Sequence, residues 1–392
     1  MTNLLQASTT RPRFVKDANP PPSTGDAPTD VYEADISPVW CVGSVAHGGV
    51  LVNVLVDAVL KRQARYSSAH RDPAHLSAQF LTATVPGKAT VEVKVVSESK
   101  RWTRLDVELY QWTPDVNTTY YLDPKTQRTL RIRAHVLVTT LPDHPPLHAG
   151  SAVSAPVDMN NFLSRPCPLL VHPSQVDMSD GGTHVPEKLM FRDGMRWKDV
   201  EVTNSDGSLA SGSWIELTGG EDVSLSAVLL AFFADIAKNG PSMLPAHLRP
   251  PVAWYPTMSF ALDFKSKFPL NPPPSAAASS TGPPLARRTF GIYSTTKTIH
   301  EGRHDLTVEV WAVDGELGVG PPRGEEKDED GVARWRRDGA RLVGVSTQMA
   351  LSMGIAVNHG RIKKPAQPGE SDADSSGSGS SDADSERRKA RL

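Results

Sequence analysis

Cysteine is nearly absent from this chain. Cys41 and Cys167 are the only two among 392 residues. They are too few for a disulfide framework and lack zinc-ligand spacing, so a reducing intracellular compartment is the default expectation. Surplus charge is missing as well: a formal net charge of −2 predicts no general attraction to nucleic acid or to an anionic membrane. No apolar run reaches the length of a membrane span, because Asn53, Asp57 and Asp235 interrupt the best candidates. Residues 1–17 contain no apolar core of the secretory-leader kind. None of the 12 histidines has convincing metal-ligand spacing, so neither a metal nor another cofactor is expected.

Proline and glycine are plentiful, 33 and 29 residues, and they cluster. Residues 1–30, with Pro20-Pro21-Pro22 among Ser, Thr and Asp, read as disordered. So does the tail 361–392, whose Ser/Asp/Gly repeat cannot bury enough apolar surface to offset its ordering entropy. Residues 141–190 are rich in Pro, His and Ser and read as a linker. It separates a first unit at 31–140 from a second at 191–360. Pro269–Pro284 and Gly320–Gly331 read as surface excursions inside the second unit.

The two units repeat one pattern. Val50–Leu60 is apolar nearly all round, opened by Gly48-Gly49 and closed by Lys61-Arg62, which suits a helix C-terminus. Leu225–Ala237 is a second such run, stopped by Asn239-Gly240-Pro241. Each run precedes alternating strands. These are Ala89–Val96, Arg104–Trp112 and Thr129–Val138 in the first unit, and Phe290–Thr298, Asp305–Val313 and Arg341–Leu351 in the second. The closest local match between units is LDVELY, Leu105–Tyr110, with LTVEVW, Leu306–Trp311. The expected class is α+β: a long buried helix wrapped by a curled antiparallel sheet, twice in tandem.

Several stretches carry a family likeness. They are His47-Gly48-Gly49 before the first helix, Phe80 within LSAQFLTATVPG, Trp214-Ile215-Glu216-Leu217, Ala234-Asp235-Ile236-Ala237, PTMSFALDFKSKFP at Pro256–Pro269 and LVGVSTQ at Leu342–Gln348. In order and duplication the chain resembles the thioesterase-like double-hotdog superfamily that includes type II acyl-CoA thioesterases, especially its fungal members. The resemblance covers roughly residues 30–360. It implies a tandem double hotdog and hydrolysis of an acyl-CoA or acyl-carrier thioester to a carboxylic acid and the free thiol.

The site of type II thioesterases resembles an Asp on the second-half helix, a Thr on the next strand and a Gln near the last strand. The Asp maps onto Asp235 and the Gln onto Gln348, while the Thr position falls on Ala261, a departure from the pattern. Ser259 and Thr257 lie two and four residues back, on the same face if the strand is regular, and Ser259 is taken as the stand-in hydroxyl. In the implied chemistry Asp235 orients or deprotonates water and Gln348 offers an amide donor. His47, Gly48 and Gly49 bind substrate, with the Gly49 N–H polarising the carbonyl. Each residue also has a structural reading. Asp235 suits a hydrogen-bonded core carboxylate, Gln348 a partner for nearby backbone, and His47-Gly48-Gly49 a helix-entry turn. Asp57 is ten residues beyond His47, one out of step with the single-hotdog HGG-x6-D pattern, and reads as a pseudo-symmetric relic or a structural group.

The lost hydroxyl at Ala261 supports an alternative, a non-catalytic accessory protein that binds acyl thioesters. A hotdog hydratase is a third reading, kept by His47. The final Ala390-Arg391-Leu392 resembles a variant of the Ser-Lys-Leu peroxisomal address, which implies a peroxisomal import receptor as partner. Without it the expected location is cytoplasmic. A double hotdog contains the pair that single hotdogs form by dimerising, so both a monomer and a homo-oligomer fit.

Overall fold

The computed structural model describes residues 13–17, 29–66, 68–112, 122–123, 128–142, 148–149, 162–180, 182, 190–218, 224–251, 253–270, 285–319, 327 and 329–354. In chain order the first unit holds β1 (Arg13–Asp17), β2 (Thr29–Ile36), α1 (Gly48–Arg65), β3 (Asp72–Phe80), β4 (Gly87–Glu98), β5 (Thr103–Trp112) and β6 (Arg128–Thr139). The second holds β7 (Met195–Val200), β8 (Leu209–Leu217), α2 (Ala227–Phe233), β9 (Thr257–Phe264), β10 (Thr289–Thr296), β11 (Arg303–Ala312) and β12 (Arg341–Leu351).

These strands form one continuous antiparallel sheet in the order β1-β2-β4-β5-β6-β3-β9-β12-β11-β10-β8-β7. The order reads the same outward from the β3–β9 seam in both directions, down to the edge strands β1 and β7, each of which precedes its inner neighbour in the chain and pairs antiparallel with it. Ser77 and Ala261 face each other at the seam and mark a pseudo-twofold axis. Outward from that pair, Leu76 of β3 corresponds to Phe260 of β9, and Ala78 to Leu262.

Alternation explains the strands. In β4, Val91 and Val93 are fully buried while Lys94 faces out. The sheet curls around the two helices, and one core contains Val52, Leu55 and Val56 of α1, Leu230 and Phe233 of α2, and Val107, Ile132, Val308 and Val310 of the sheet. This wrapping is why α1 is apolar nearly all round. A smaller core covers the outer face of the second half. There Leu169 and Val176, from the stretch 162–180, pack with Trp214, Trp311 and Val313. Gly291 makes room for that strap, since a Cβ there would lie 2.3 Å from a Leu169 methyl.

The structure differs from expectation at three places. β1 lies inside the stretch read as disordered and pairs Phe14 with Tyr32 of β2. The supposed linker 141–190 supplies the packed strap. Most consequentially, α2 stops at Phe233, although the apolar run continues to Ala237. Among the described residues, no helix is long and apolar enough to cross a membrane. The tail, with Ala390-Arg391-Leu392, lies outside the described residues.

Candidate active site

The two helices meet where α1 begins and α2 ends. His47 caps α1, its Nδ1 accepting from the Gly49 N–H at 3.2 Å. The chains approach so closely that a Cβ on Gly49 would lie 2.8 Å from the Asp235 Cβ and 2.9 Å from the Phe232 Cα. Glycine is therefore demanded there by packing. Asp235 sits just past the end of α2, and its Oδ2 accepts the Gly49 N–H at 2.5 Å. Thr257 Oγ1 lies 3.4 Å from Oδ1, a long contact. The Asp235 side chain is 5% exposed. Burial pushes its pKa up to about 7, against the opposing pull of the Gly49 N–H and the Thr257 hydroxyl.

His47 Nδ1 is 3.4 Å from Asp235 Oδ2, but the two are not an ion pair at neutral pH. The imidazole packs against Phe191 and Phe232, with ring centroids 5.7 and 5.3 Å away, and burial pushes its pKa down to about 4. A neutral ring whose Nδ1 accepts from Gly49 carries its proton on Nε2. Trp40 completes the aromatic wall, stacked on Phe191 and edge-on to Phe232.

Gln348, on β12 opposite Phe260 of β9, points inward and is buried. Its Nε2 donates to the Ala234 carbonyl at 2.8 Å and to Ser346 Oγ at 3.3 Å. Both amide hydrogens are thereby engaged. The atom left for a ligand is the acceptor Oε1, not the donor that the sequence reading assigned. Gly49 is corrected in the same way, because its N–H is held by Asp235 and His47 and is not available to a thioester carbonyl.

Ser259 is not part of this cluster. It pairs with Gln79 of β3 and Met349 of β12, both exposed, and so lies on the outer face of the sheet. Ala261, opposite Ser77 and Thr347, lies on that outer face too. The hydroxyl beside the acid comes from Thr257. A β-bulge is the reason: Thr257 pairs with Ala350 and Ser259 with Met349, which leaves Met258 as the extra residue. The bulge reverses the strand's phase, turning Thr257 inward and separating it from Ser259. Asp57 is elsewhere, paired with Lys61 on the surface of α1 at 3.0 Å. Among the described residues, no group of three or more His, Cys, Asp or Glu side chains is placed to hold a metal.

Comparison with known proteins bears on this geometry. The sequence model of an acyl-CoA thioesterase N-terminal domain matches residues 36–137, and that of an acyl-CoA thioesterase C-terminal domain matches residues 171–318. Together they span more than half of the chain. No curated protein matches the sequence. Among solved structures, a conserved protein of unknown function with a hot dog fold from Alicyclobacillus acidocaldarius is similar at a TM-score of 0.51 and 11% identity, over 89% of this chain and 98% of that one. The tesB protein of Mycobacterium avium subs paratuberculosis aligns at 0.49 and 11%, over 90% and 99%. Acyl-CoA thioesterase II TesB2 of Mycobacterium marinum aligns at 0.49 and 11%, over 83% and 93%. The first of these likenesses identifies the helix-and-sheet plan as the hotdog fold, here in tandem.

Proposed function

The chain belongs to the acyl-CoA thioesterase family, with that family's N-terminal and C-terminal domains in tandem, and from this premise we propose that it hydrolyses acyl-CoA with Asp235 as the base. Water attacks the thioester carbonyl carbon and loses a proton to the Asp235 carboxylate. The tetrahedral oxyanion then expels the CoA thiolate as the carbon–sulfur bond breaks, and the protonated Asp235 returns its proton to the sulfur. The products are a carboxylic acid and free CoA, and Asp235 ends as it began.

The observation that carries this reading is the buried carboxylate at the helix crossing, held by the Gly49 N–H with the Thr257 hydroxyl beside it; burial raises its pKa to about 7, the range in which a general base works best. Gln348 Oε1 suits the water's second hydrogen, so that a lone pair is left toward the carbonyl carbon. Thr257 fixes the far carboxylate oxygen. The Nε2–H of neutral His47 and the positive end of α1 favour the charge that develops on the carbonyl oxygen. Thr257 gives the acid the hydroxyl neighbour that Ala261 does not, which supports hydrolysis over a non-catalytic accessory.

The test is release of free thiol from saturated acyl-CoAs of graded length by wild type and Asp235→Asn. Loss of release in the variant, with acyl-CoA binding retained, is expected. Equal rates contradict the assignment.

A further inference from the structure

The end of α2 is held in place by side chains from outside the helix, and two of them, Ser346 and Asn53, have no part in the water site. The apolar run Leu225–Ala237 contains no glycine or proline, so nothing local stops the helix at Phe233. Side chains from outside engage the backbone of this last turn, at a donor within it and at the carbonyl that its end leaves free. The Phe232 N–H donates to Asn53 Oδ1 of α1 at 3.1 Å. The Ala234 carbonyl, which in a continuing helix would accept from Lys238, accepts instead from Ser346 Oγ at 2.6 Å and from Gln348. The Asp235 N–H tightens back onto the Phe232 carbonyl at 3.1 Å.

The first half supplies an internal control. Val136 faces Leu76 as Gln348 faces Phe260, and Ala134 faces Ala78 as Ser346 faces Leu262. The counterparts of the two clamping side chains are therefore alanine and valine. There α1 runs unbroken for 18 residues to Arg65. Clamp and break occur together in one half and are absent together in the other.

We propose that Ser346 and Asn53 are positioning residues for Asp235, holding α2 broken after Phe233 so that the carboxylate stays against the Gly49 N–H. Ser346 is fully buried and acts through the Ala234 carbonyl and the Gln348 amide. Asn53 acts across the helix crossing.

The test measures kcat, KM and the pH profile of thiol release, per folded protein, for Ser346→Ala, Ser346→Thr and Asn53→Ala. A displaced acid lowers kcat by about 10- to 100-fold with KM little changed. It also moves the rising limb of the pH profile upward, because the Gly49 N–H that lowers the Asp235 pKa is weakened. His47 is the titratable side chain facing Asp235, and burial keeps it neutral across that range. Ser346→Thr restores the hydroxyl and both readouts. Variants that lose melting temperature alone, with wild-type kcat and an unmoved limb, overturn the proposal. If Ser346→Ala does not fold, Asn53→Ala decides by the same criteria. The inference rests on Asp235 as the base. An active Asp235→Asn removes that premise, whereas an inactive Asp235→Asn beside an unaffected Ser346→Ala overturns the positioning role alone.

Discussion

The two halves share a plan and part company at a few positions. Where the second half has Thr257, Ser346 and Gln348, the strand registers place Pro73, Ala134 and Val136 in the first. At the helix crossing, Asp235 accepts an N–H from α1, and Asn53 reciprocally accepts one from α2. Asn53, not Asp57, is thus the first half's answer to the acid. The comparison teaches that wrapping a helix in a sheet needs none of the four polar groups. The half without them has a continuous helix and an apolar inner face. The half with them has a broken helix and a buried carboxylate, local features that oppose folding and mark the place where a functional site is expected.

Another buried pair shows what both halves retain. The start of β5 is tied to the segment after α1 by Thr103 and His70 Nδ1, 2.9 Å apart. The start of β11 is tied to the segment after α2 by His304 Nε2 and Asn239 Oδ1 at 3.2 Å. Thr103 and His304 occupy matching registers opposite Val138 and Ala350. The clasp persists with its chemistry exchanged, as expected when it serves the fold in both copies.

The contrast can be broken most forcefully at the acid. Asp235→Asn is expected to lower kcat by about 10³-fold, within the range of general-base catalysis, and yet to stabilise the protein. The folded-state pKa is raised to about 7, above the roughly 3.9 of an unfolded aspartate. Stability from this group is fully present below the unfolded value and is lost as pH rises through the folded one. At pH 8 the asparagine variant should therefore be more stable by about 4 kcal/mol, an advantage that narrows as pH falls toward the unfolded value. Denaturant melts at two pH values check it, and an unstable variant at pH 8 would contradict the burial argument.

Gly49→Ala comes next. Its methyl would meet backbone and Asp235 at the crossing, costing about 1–3 kcal/mol by overpacking and moving the carboxylate. Melting temperature and thiol release should both fall. Thr257→Val is expected to cost less, about 10-fold in kcat at unchanged stability, since one long hydrogen bond is lost. Ser259→Ala, on the outer face, should change nothing measurable in the same assay. If Ser259→Ala impairs turnover and Thr257→Val does not, the bulge has been assigned to the wrong residues.

Much of this organisation is legible in sequence. The duplication, α1 and strands such as β5 and β11 follow from periodicity, because burial on one face imposes it. Asp235 stands out as a polar residue inside one apolar run and His47 as one at the border of the other. What cannot be read is decided by partners distant in sequence. The bulge at Met258 has no local signature in Thr257-Met258-Ser259, and it turns the hydroxyl inward. The end of α2 depends on Asn53 and Ser346, residues 179 and 112 positions from the groups they hold. The strap around Leu169 hides in a proline-rich stretch because a few well-placed apolar side chains suffice to cover the outer face of the second half.

The claim that the second half performs the chemistry through a neutral-range carboxylate is tested most directly by the pH dependence of thiol release from an acyl-CoA by the wild-type protein. kcat/KM is expected to rise through an apparent pKa of about 7 to a plateau, with the limb absent from Asp235→Asn. A profile flat from acid through alkaline pH, or the same limb in that variant, would contradict it.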